Sequence, residues 1–160
     1  MDIIEIFGDN YSKNYKHIRY ASRGVVIKDN KILLSYDIKH NVYMLPGGGR
    51  ENNETPEENA IREVREETGY IIKPLKLVLQ IDEYYQDFKY TTYYLIGEII
   101  DKTNQQLTPL EESDGLEARW IDIDDALKEF ATYETREFDV LGFKGIYLRE
   151  LKALKKILNR

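Results

Sequence analysis

Residues 48–70 read GGRENNETPEENAIREVREETGY, and this stretch decides how the middle of the chain folds. Thr55, Pro56 and Glu58 are typical of a helix start. Threonine caps the first free N–H groups, proline suits the first helical position, and Glu58 completes a capping box with Thr55. Gly69 is the residue type that most often ends a helix in the left-handed conformation. The pattern therefore predicts a helix over residues 56–68.

The carboxylates of this helix lie where they weaken it. Glu63, Glu66 and Glu67 are spaced i, i+3 and i+4, so they share one helix face near the C-terminal end. Negative charge at that end opposes the helix dipole, at a cost of about 0.3–1 kcal/mol for each group. A hard divalent cation removes the conflict, because it takes oxygen ligands from clustered carboxylates and from phosphate. The spacing therefore indicates a site for Mg²⁺, or for Mn²⁺ in its place.

A glycine-rich segment over residues 46–49 precedes the helix and follows a short strand predicted over residues 43–45. Glycines there allow the chain to turn and allow a ligand to approach the backbone closely. We therefore predict a glycine loop. Its candidate contacts to a phosphate-bearing ligand are Gly47, Gly48, Gly49 and Arg50.

The whole stretch resembles the Nudix box of the MutT-like pyrophosphohydrolases. That box joins a glycine and a glutamate to a segment of Arg-Glu-apolar-x-Glu-Glu-x-Gly-apolar at fixed spacing. The positions that match in register are Gly48, Glu54, Arg62, Glu63, Val64, Glu66, Glu67 and Gly69. Asn53 stands where the family often has glycine, and asparagine also tolerates the left-handed conformation. Tyr70 stands where an aliphatic residue is usual, and residues 117–121 resemble the family more loosely.

The resemblance implies an α+β fold, an α/β/α sandwich around a mixed β-sheet, with residues 1–160 as one domain. Residues 1–14 would be an N-terminal extension and residues 145–160 a C-terminal helix. The activity implied is metal-dependent hydrolysis of a pyrophosphate bond in a nucleoside diphosphate linked to another group, such as an ordinary or oxidised nucleoside triphosphate. Hydrolysis of a dinucleoside polyphosphate or a nucleotide sugar is an alternative, and so is nucleotide sensing without catalysis.

The resemblance also implies roles for individual residues. Metal coordination falls to the carboxylates of Glu63, Glu66 and Glu67 and to the carbonyl oxygen of Gly48. Arg62 would pair with a neighbouring carboxylate and fix its rotamer. Glu54 would bind a further metal ion through water or orient the loop. Glu63 is the first choice for the general base, and the alternatives in the polar segment 101–116, predicted as a loop, are Glu111, Glu112 and Asp114.

Aromatic residues past the box bear on the substrate. The tyrosines that can stack on a nucleobase, or pack in the core instead, are Tyr84, Tyr85, Tyr90, Tyr93 and Tyr94. ADP-ribose hydrolases of the family often carry a proline some way past the box. This chain has Tyr84-Tyr85-Gln86 there, which makes ADP-ribose less expected. The chain has no cysteine, which argues against isopentenyl-diphosphate isomerase chemistry on the same fold.

Composition and charge set limits on the partners. A length of 160 residues fits one domain, and the net charge of −6 disfavours nucleic acid polymers and anionic membranes. No apolar leader or membrane-length apolar run is visible, so we expect a cytoplasmic protein. We expect it to be a monomer or a homodimer that binds a nucleotide.

Outside the box the pattern predicts mostly strands, over residues 3–7, 17–27, 31–36, 71–81, 89–100 and 117–121. The strands at 17–27 and 31–36 read as a hairpin, with Asp29 and Asn30 in its turn. A short helix is predicted over residues 122–130, capped by Asp122 or Asp124. An amphipathic helix is predicted from Gly145, with an apolar face formed by Tyr147, Leu151, Leu154 and Leu158.

Overall fold

The fold combines two β-sheets with helices on both sides. A computed structural model describes residues 1–12 and 14–160, so residue 13 of the predicted extension lies outside the described residues. The elements, in chain order, are β1 (Asp2–Phe7), β2 (His17–Val25), β3 (Ile27–Lys28), β4 (Lys31–Asp37), β5 (Val42–Met44), β6 (Gly47–Gly49), α1 (Pro56–Thr68), β7 (Tyr70–Tyr85), β8 (Phe88–Lys102), α2 (Pro109–Asp114), β9 (Leu116–Asp122), α3 (Ile123–Ala131) and α4 (Phe143–Ile157). A 3₁₀ turn (Thr132–Glu134) follows α3.

The larger sheet has five strands in the order β1-β7-β8-β2-β6. It is mixed, because β1 runs parallel to β7 and β2 runs parallel to β8, while the other pairs are antiparallel. The smaller sheet is antiparallel and is built on β4. Strand β9 pairs along β4, which also pairs with β3 near one end and with β5 near the other.

Two apolar cores lie on opposite sides of the sheets, one under α1 and the other under α3 and α4. On one side, Ala60 and Val64 of α1 pack with buried residues of the sheets, among them Leu33 and Leu95. On the other side, α3 and α4 pack on side chains that alternate with these along the same strands, because successive residues of a strand point to opposite faces. This α/β/α arrangement confirms the predicted fold. No helix among residues 1–12 and 14–160 is long and apolar enough to cross a membrane.

The helix of the box forms as the sequence predicts. Thr55 and Glu58 make both bonds of the capping box, and Gly69 ends the helix at φ 78°. Asp122 caps α3, as one of the two predicted caps. Helix α4 begins at Phe143, two residues before the predicted Gly145.

The segment 101–116, predicted as a loop, contains the helix α2. Its start repeats the signature of α1. Thr108 caps Glu111 in a second capping box, Pro109 occupies the first turn, and Gly115 ends the helix at φ 72°. The prediction was wrong because the segment is mostly polar and α2 has no apolar face: its one leucine, Leu110, is exposed. Its capping residues nevertheless carried the signal.

The predicted glycine loop is an extended strand. Gly47 to Gly49 pair with β2 as β6, and the described positive-φ glycines lie elsewhere in the chain. Close packing explains the glycines, since a Cβ atom on Gly47 would overlap the carbonyl oxygen of Ser22. The left-handed residue before α1 is Asn52, at φ 47°, rather than Asn53.

The predicted hairpin forms only in part. Asp29 and Asn30 have φ values of 51° and 61°, as a tight hairpin turn requires. The first strand, however, divides between the sheets. Strand β2 pairs with β8 in the larger sheet up to Val25, whereas Ile27 and Lys28 pair with β4 in the smaller sheet, so the chain changes sheets at Val26. The N-terminal residues 2–7 are also part of a sheet, because β1 pairs with β7.

Candidate active site

The backbone of Gly48 and the carboxylate of Glu63 lie in contact. A Cβ atom built on Gly48 would be 2.7 Å from the carboxyl carbon of Glu63 and 2.8 Å from each of its oxygens. Only glycine at this position allows α1 to bring that carboxylate against β6. The sequence placed both residues in one metal site, and the structure brings them together.

Arg62 connects three carboxylates of the box, those of Glu54, Glu63 and Glu66. Its Nε and Nη2 donate to the two oxygens of Glu54, at 2.7 and 3.0 Å, in a bidentate pair. Its Nη1 donates to Glu63 at 2.9 Å and to Glu66 at 3.1 Å. Its Nη2 also reaches the carbonyl oxygen of Gly49 at 2.9 Å. Arg62 therefore fixes three carboxylates and one strand of the site at once.

Asn59 belongs to the same site, although the sequence analysis did not name it. It lies one turn before Glu63 on α1, and its Nδ2 donates to the carbonyl oxygens of Gly48 and Gly49, each at 3.2 Å. The side chain is buried. The i, i+4 spacing from Glu63 was the available signal, since that spacing places both side chains on one face.

Glu67 is the most deeply buried carboxylate of the box, with 5% of its surface exposed. Its Oε2 accepts a hydrogen bond from the Ser35 hydroxyl at 2.9 Å and from the Gly47 N–H at 3.2 Å. Burial raises the pKa of Glu67 to about 8, against the opposing attraction of Arg23. The buried polar residues Ser35 and Arg23 were not predicted, because no motif marks either one: Ser35 follows two leucines and Arg23 lies in a strand with several other polar residues.

The other box carboxylates differ in their surroundings. Partial burial raises the pKa of Glu63, and the neighbouring Arg62 opposes this effect. The hydrogen bonds from Arg62 lower the pKa of Glu54. The Glu54 Oε1 also accepts from the Glu51 N–H at 2.8 Å, so this side chain ties the segment before α1 to Arg62.

The three acidic residues of the segment 101–116 occupy different places. Burial is the main cause of the raised pKa of Glu63 and of Glu67, and the negative charge of Glu111 adds a smaller effect of the same sign, so Glu111 is near the box. Its Oε1 accepts from the Thr108 N–H at 2.9 Å, within the cap of α2. Glu112 is exposed.

Asp114 lies instead with Asp37 and His40. The His40 Nδ1 is 2.8 Å from Asp37 and 3.9 Å from Asp114. The hydrogen bond with Asp37 raises the pKa of His40. The ligand atoms of the three side chains lie within 4.8 Å of one another. This second group joins the end of β4 and the turn after it to the end of α2, and no spacing in the sequence predicted it.

A family model of the NUDIX domain matches residues 19–140 of the chain. The chain belongs to the Nudix family. An ADP-ribose pyrophosphatase of Methanocaldococcus jannaschii is 40% identical to it over 91 residues, covering 47% of this chain and 53% of that protein. A diphosphoinositol polyphosphate phosphohydrolase of Homo sapiens is 30% identical over 131 residues, covering 76% of this chain and 69% of that protein.

A solved Nudix hydrolase of Nitrosomonas europaea shares the fold, with a TM-score of 0.60 at 21% identity. The match covers 84% of this chain and 88% of that chain. The chain spans about half the length of the first curated relatives it matches, 40% of a Bacillus subtilis protein and 53% of the Methanocaldococcus protein. Members of the Nudix family generally use divalent metal ions.

A divalent metal ion suits the residues gathered at the Nudix box. Oxygen donors dominate the set, which Mg²⁺ and Mn²⁺ prefer. Glu67 accepts hydrogen bonds from two neutral groups, the Ser35 hydroxyl and the Gly47 N–H. The ionised form of Glu67 therefore has no bonded positive charge to offset it. Glu63, Glu66 and Glu54 share the single guanidinium of Arg62. The cluster therefore carries more negative charge than its own side chains neutralise.

A polar patch lies on the larger sheet beside the box, on the face that α1 packs against. We call it the polar sheet face. It consists of Tyr20, Gln80, Asp82, Thr91 and Tyr93, which the strand register places in two adjacent rows. Ser22, in the row of Tyr93, pairs with Gly48. The Asp82 carboxylate accepts from the Thr91 hydroxyl at 2.7 Å and from the Gln80 amide at 3.1 Å.

The guanidinium of Arg50 lies 4.3 Å from the centre of the Tyr20 ring at the edge of this face. Of the five predicted tyrosines, Tyr93 belongs to the polar sheet face. Tyr94 points the other way and is fully buried in the core. Tyr84 stacks on Phe7, with ring centres 5.2 Å apart. The remaining two are Tyr90, which stacks on Phe88, and Tyr85, which is exposed.

Proposed function

We propose that this chain is a Nudix hydrolase that uses Mg²⁺, with Mn²⁺ as a substitute, to hydrolyse the pyrophosphate bond of a nucleoside diphosphate linked to another group. The observation that carries the proposal is the intact set of carboxylates around Gly48, with Glu67 buried among neutral partners. A bound Mg²⁺ would offset the phosphate charge that repels a nucleophile and would lower the pKa of a bound water. We propose as its ligands the carbonyl oxygen of Gly48 and the carboxylates of Glu63, Glu66 and Glu67.

Arg62 holds these ligands in place. Its Nη1 donates to both Glu63 and Glu66, so one guanidinium holds the two carboxylates next to each other. Its pairing with Glu54 uses both oxygens of that carboxylate. Of the two roles considered for Glu54, we therefore propose that it orients Arg62 and the segment before α1.

Glu63 is our choice of general base. Its Oε1 accepts from Arg62, which leaves Oε2 to take the proton of the attacking water. The raised pKa of Glu63 brings the group closer to the pH at which a base is most effective. Glu111 is the alternative that the structure favours among the three acidic residues of its segment. Glu112 is exposed, and Asp114 lies in the group with His40.

The nucleoside is proposed to lie on the polar sheet face. Tyr93 and Tyr20 offer aromatic surfaces for a nucleobase, and Gln80, whose amide nitrogen donates to the buried Asp82, offers its amide oxygen as a hydrogen-bond acceptor beside them. Arg50, at the edge of this face and one residue from the glycines, is placed to contact a phosphate of the same substrate. The expectation of a monomer or homodimer stays a prediction.

A hydrolysis screen tests the proposal. The panel would hold 8-oxo-dGTP, dGTP, ADP-ribose, a UDP-sugar, a diadenosine polyphosphate and a diphosphoinositol polyphosphate, each with Mg²⁺, Mn²⁺ or EDTA. ADP-ribose stays in the panel because a relative carries that activity in its name, although the sequence made it less expected. We expect metal-dependent cleavage of at least one nucleotide that EDTA abolishes.

The two controls are Glu66→Gln and Glu67→Gln, which keep the size of each side chain and remove a charged ligand. Each should lower the rate by about 10²-fold or more, as when an electrostatic element of a site is lost. Full activity in EDTA, or in both variants, would contradict the assignment. Binding of nucleotides without any cleavage would support the sensing alternative.

A further inference from the structure

Glu150 of α4 is a fully buried carboxylate on the side of the sheets opposite α1, with 0% of its surface exposed. Its Oε2 accepts a hydrogen bond from the backbone N–H of Leu45 at 2.6 Å. Its Oε1 accepts from the Tyr94 hydroxyl at 2.9 Å and from the Arg149 Nε at 3.1 Å. Burying a charge is costly unless such bonds compensate it, so this carboxylate fixes the peptide group that it meets.

Leu45 stands directly before the segment that carries the glycines. Its carbonyl oxygen accepts from the buried Arg23 Nη1 at 2.6 Å, so charged side chains from two elements hold its backbone on both sides. The carbonyl oxygen of the following Pro46 accepts from the Gly24 N–H at 2.9 Å. The N–H of Gly47 then donates to Glu67 at 3.2 Å. An unbroken series of bonds thus runs from α4 to the box.

The same helix holds β5 at a second point. Tyr147 lies one turn before Glu150, and its hydroxyl accepts from the Tyr43 N–H at 3.0 Å. The Tyr147 hydroxyl donates in turn to Glu129 at 2.6 Å. Helix α4 therefore bonds two alternate peptide groups of the strand that leads into β6.

We infer that Glu150 is a positioning residue for the Nudix metal site, acting through Leu45 on the Gly47 N–H and the Gly48 carbonyl oxygen. The inference rests on the proposed function, since it concerns the same metal site. Movement of the Leu45 peptide changes the angle at which Gly47 and Gly48 face Glu67 and Glu63. Loss of a residue that supports a metal ligand typically weakens metal binding about 10–100-fold.

Mn²⁺ binding to the full chain, measured by electron paramagnetic resonance, tests the inference without the reaction. Glu150→Leu removes the acceptor for Leu45 and should weaken Mn²⁺ binding about 10-fold or more. Glu150→Gln keeps an amide oxygen for that N–H and should stay within about threefold of the wild type, even though the lost charge lowers stability. Urea unfolding of each variant gives its stability, and binding is measured where each variant is folded.

The matched control is Tyr94→Phe. It removes a buried hydrogen bond to the same carboxylate but leaves the bond to Leu45, so it should lower stability and leave Mn²⁺ binding unchanged. If Glu150→Leu does not fold, Tyr147→Phe takes its place, because it keeps the ring and removes the hydroxyl that accepts from Tyr43 and donates to Glu129. A loss of about three- to tenfold is expected there, since one of the two strand contacts remains.

Three outcomes would overturn the inference. The first is that folded Glu150→Leu binds Mn²⁺ as tightly as the wild type. The second applies when Glu150→Leu does not fold, and it is that Tyr147→Phe binds Mn²⁺ as tightly as the wild type. The third is an equal loss in Tyr94→Phe and Glu150→Leu, which would make general loosening of the core the cause. Failure of the wild type itself to bind Mn²⁺ would instead overturn the proposed metal site and the inference with it. The wild type and the variants therefore report separately on the two proposals.

Discussion

Replacement of Glu67 by glutamine should change how the stability of the metal-free protein depends on pH. Glutamine keeps the size of the side chain and an oxygen that accepts from Ser35 and Gly47, but it cannot ionise. Burial raises the pKa of Glu67 from 4.5 to about 8, which corresponds to about 5 kcal/mol against the charged form. Between these two pKa values the Glu67 carboxyl therefore keeps its proton in the folded protein and loses it in the unfolded chain.

The sign of the effect follows from this difference in bound protons. Between the unfolded pKa of 4.5 and the folded pKa of about 8, the folded state binds more protons, so stability falls as pH rises. From pH ~5.5 to pH ~8.5, wild-type stability should fall by about 3 kcal/mol relative to Glu67→Gln. Urea unfolding in EDTA across this range measures the difference directly.

A matched control is Glu66→Gln, which removes the same charge from the neighbouring position, where the side chain is 30% exposed. Its stability relative to the wild type should change by less than about 1 kcal/mol across the range. Mg²⁺ should raise the stability of the wild type at high pH, because the ion binds the ionised Glu67 carboxylate in the folded state. It should stabilise Glu67→Gln less, since that variant lacks this carboxylate. A wild-type curve parallel to that of Glu67→Gln at every pH would refute the reasoning.

Three further predictions concern the reaction and its ligands. Glu63→Gln should lower kcat more than Glu111→Gln, whose loss should be less than about tenfold. If only Glu111→Gln loses the acidic limb of the pH–rate profile, the general base is Glu111 of α2 instead of Glu63. Gly48→Ala should weaken Mn²⁺ binding about tenfold or more, because its methyl group displaces the Glu63 carboxylate; Gly145→Ala on α4, with open space around it, is the control and should bind normally. Tyr93→Ala should raise KM for the nucleotide found in the screen with little change in kcat. An unchanged KM would mean that the nucleobase of the substrate does not bind at Tyr93.

Local signals in the sequence predicted the parts of the fold that neighbouring residues control. The capping box of Thr55 and Glu58 and the glycine stop at Gly69 predicted α1 to the residue. The same reasoning applied to Thr108 and Gly115 would have found α2, but the lack of an apolar face in that segment concealed it. Propensity and capping act within a few residues, so sequence patterns report them well.

Features that depend on distant residues were not predictable in this way. The glycines at 47–49 suggested a turn, but their cause is the approach of Ser22 and Glu63, which lie 25 and 15 residues away from Gly47 and Gly48 in the chain. The division of one predicted strand at Val26 follows from the packing of two sheets. The contact between Glu150 and Leu45 joins residues 105 apart, and no local pattern marks it.

The arrangement of charges makes the packing of α1 important for the site. The carboxylates of α1 oppose its dipole and repel one another, so the helix depends on packing for its stability. That packing comes from the buried Ala60 and Val64 of α1, which belong to one core with Leu33 and Leu95. The glycines that meet Glu63 contribute no side chains, so the strand before them needs support from the opposite side. The buried carboxylate of Glu150 supplies it, which makes the second core a structural requirement of the proposed metal site.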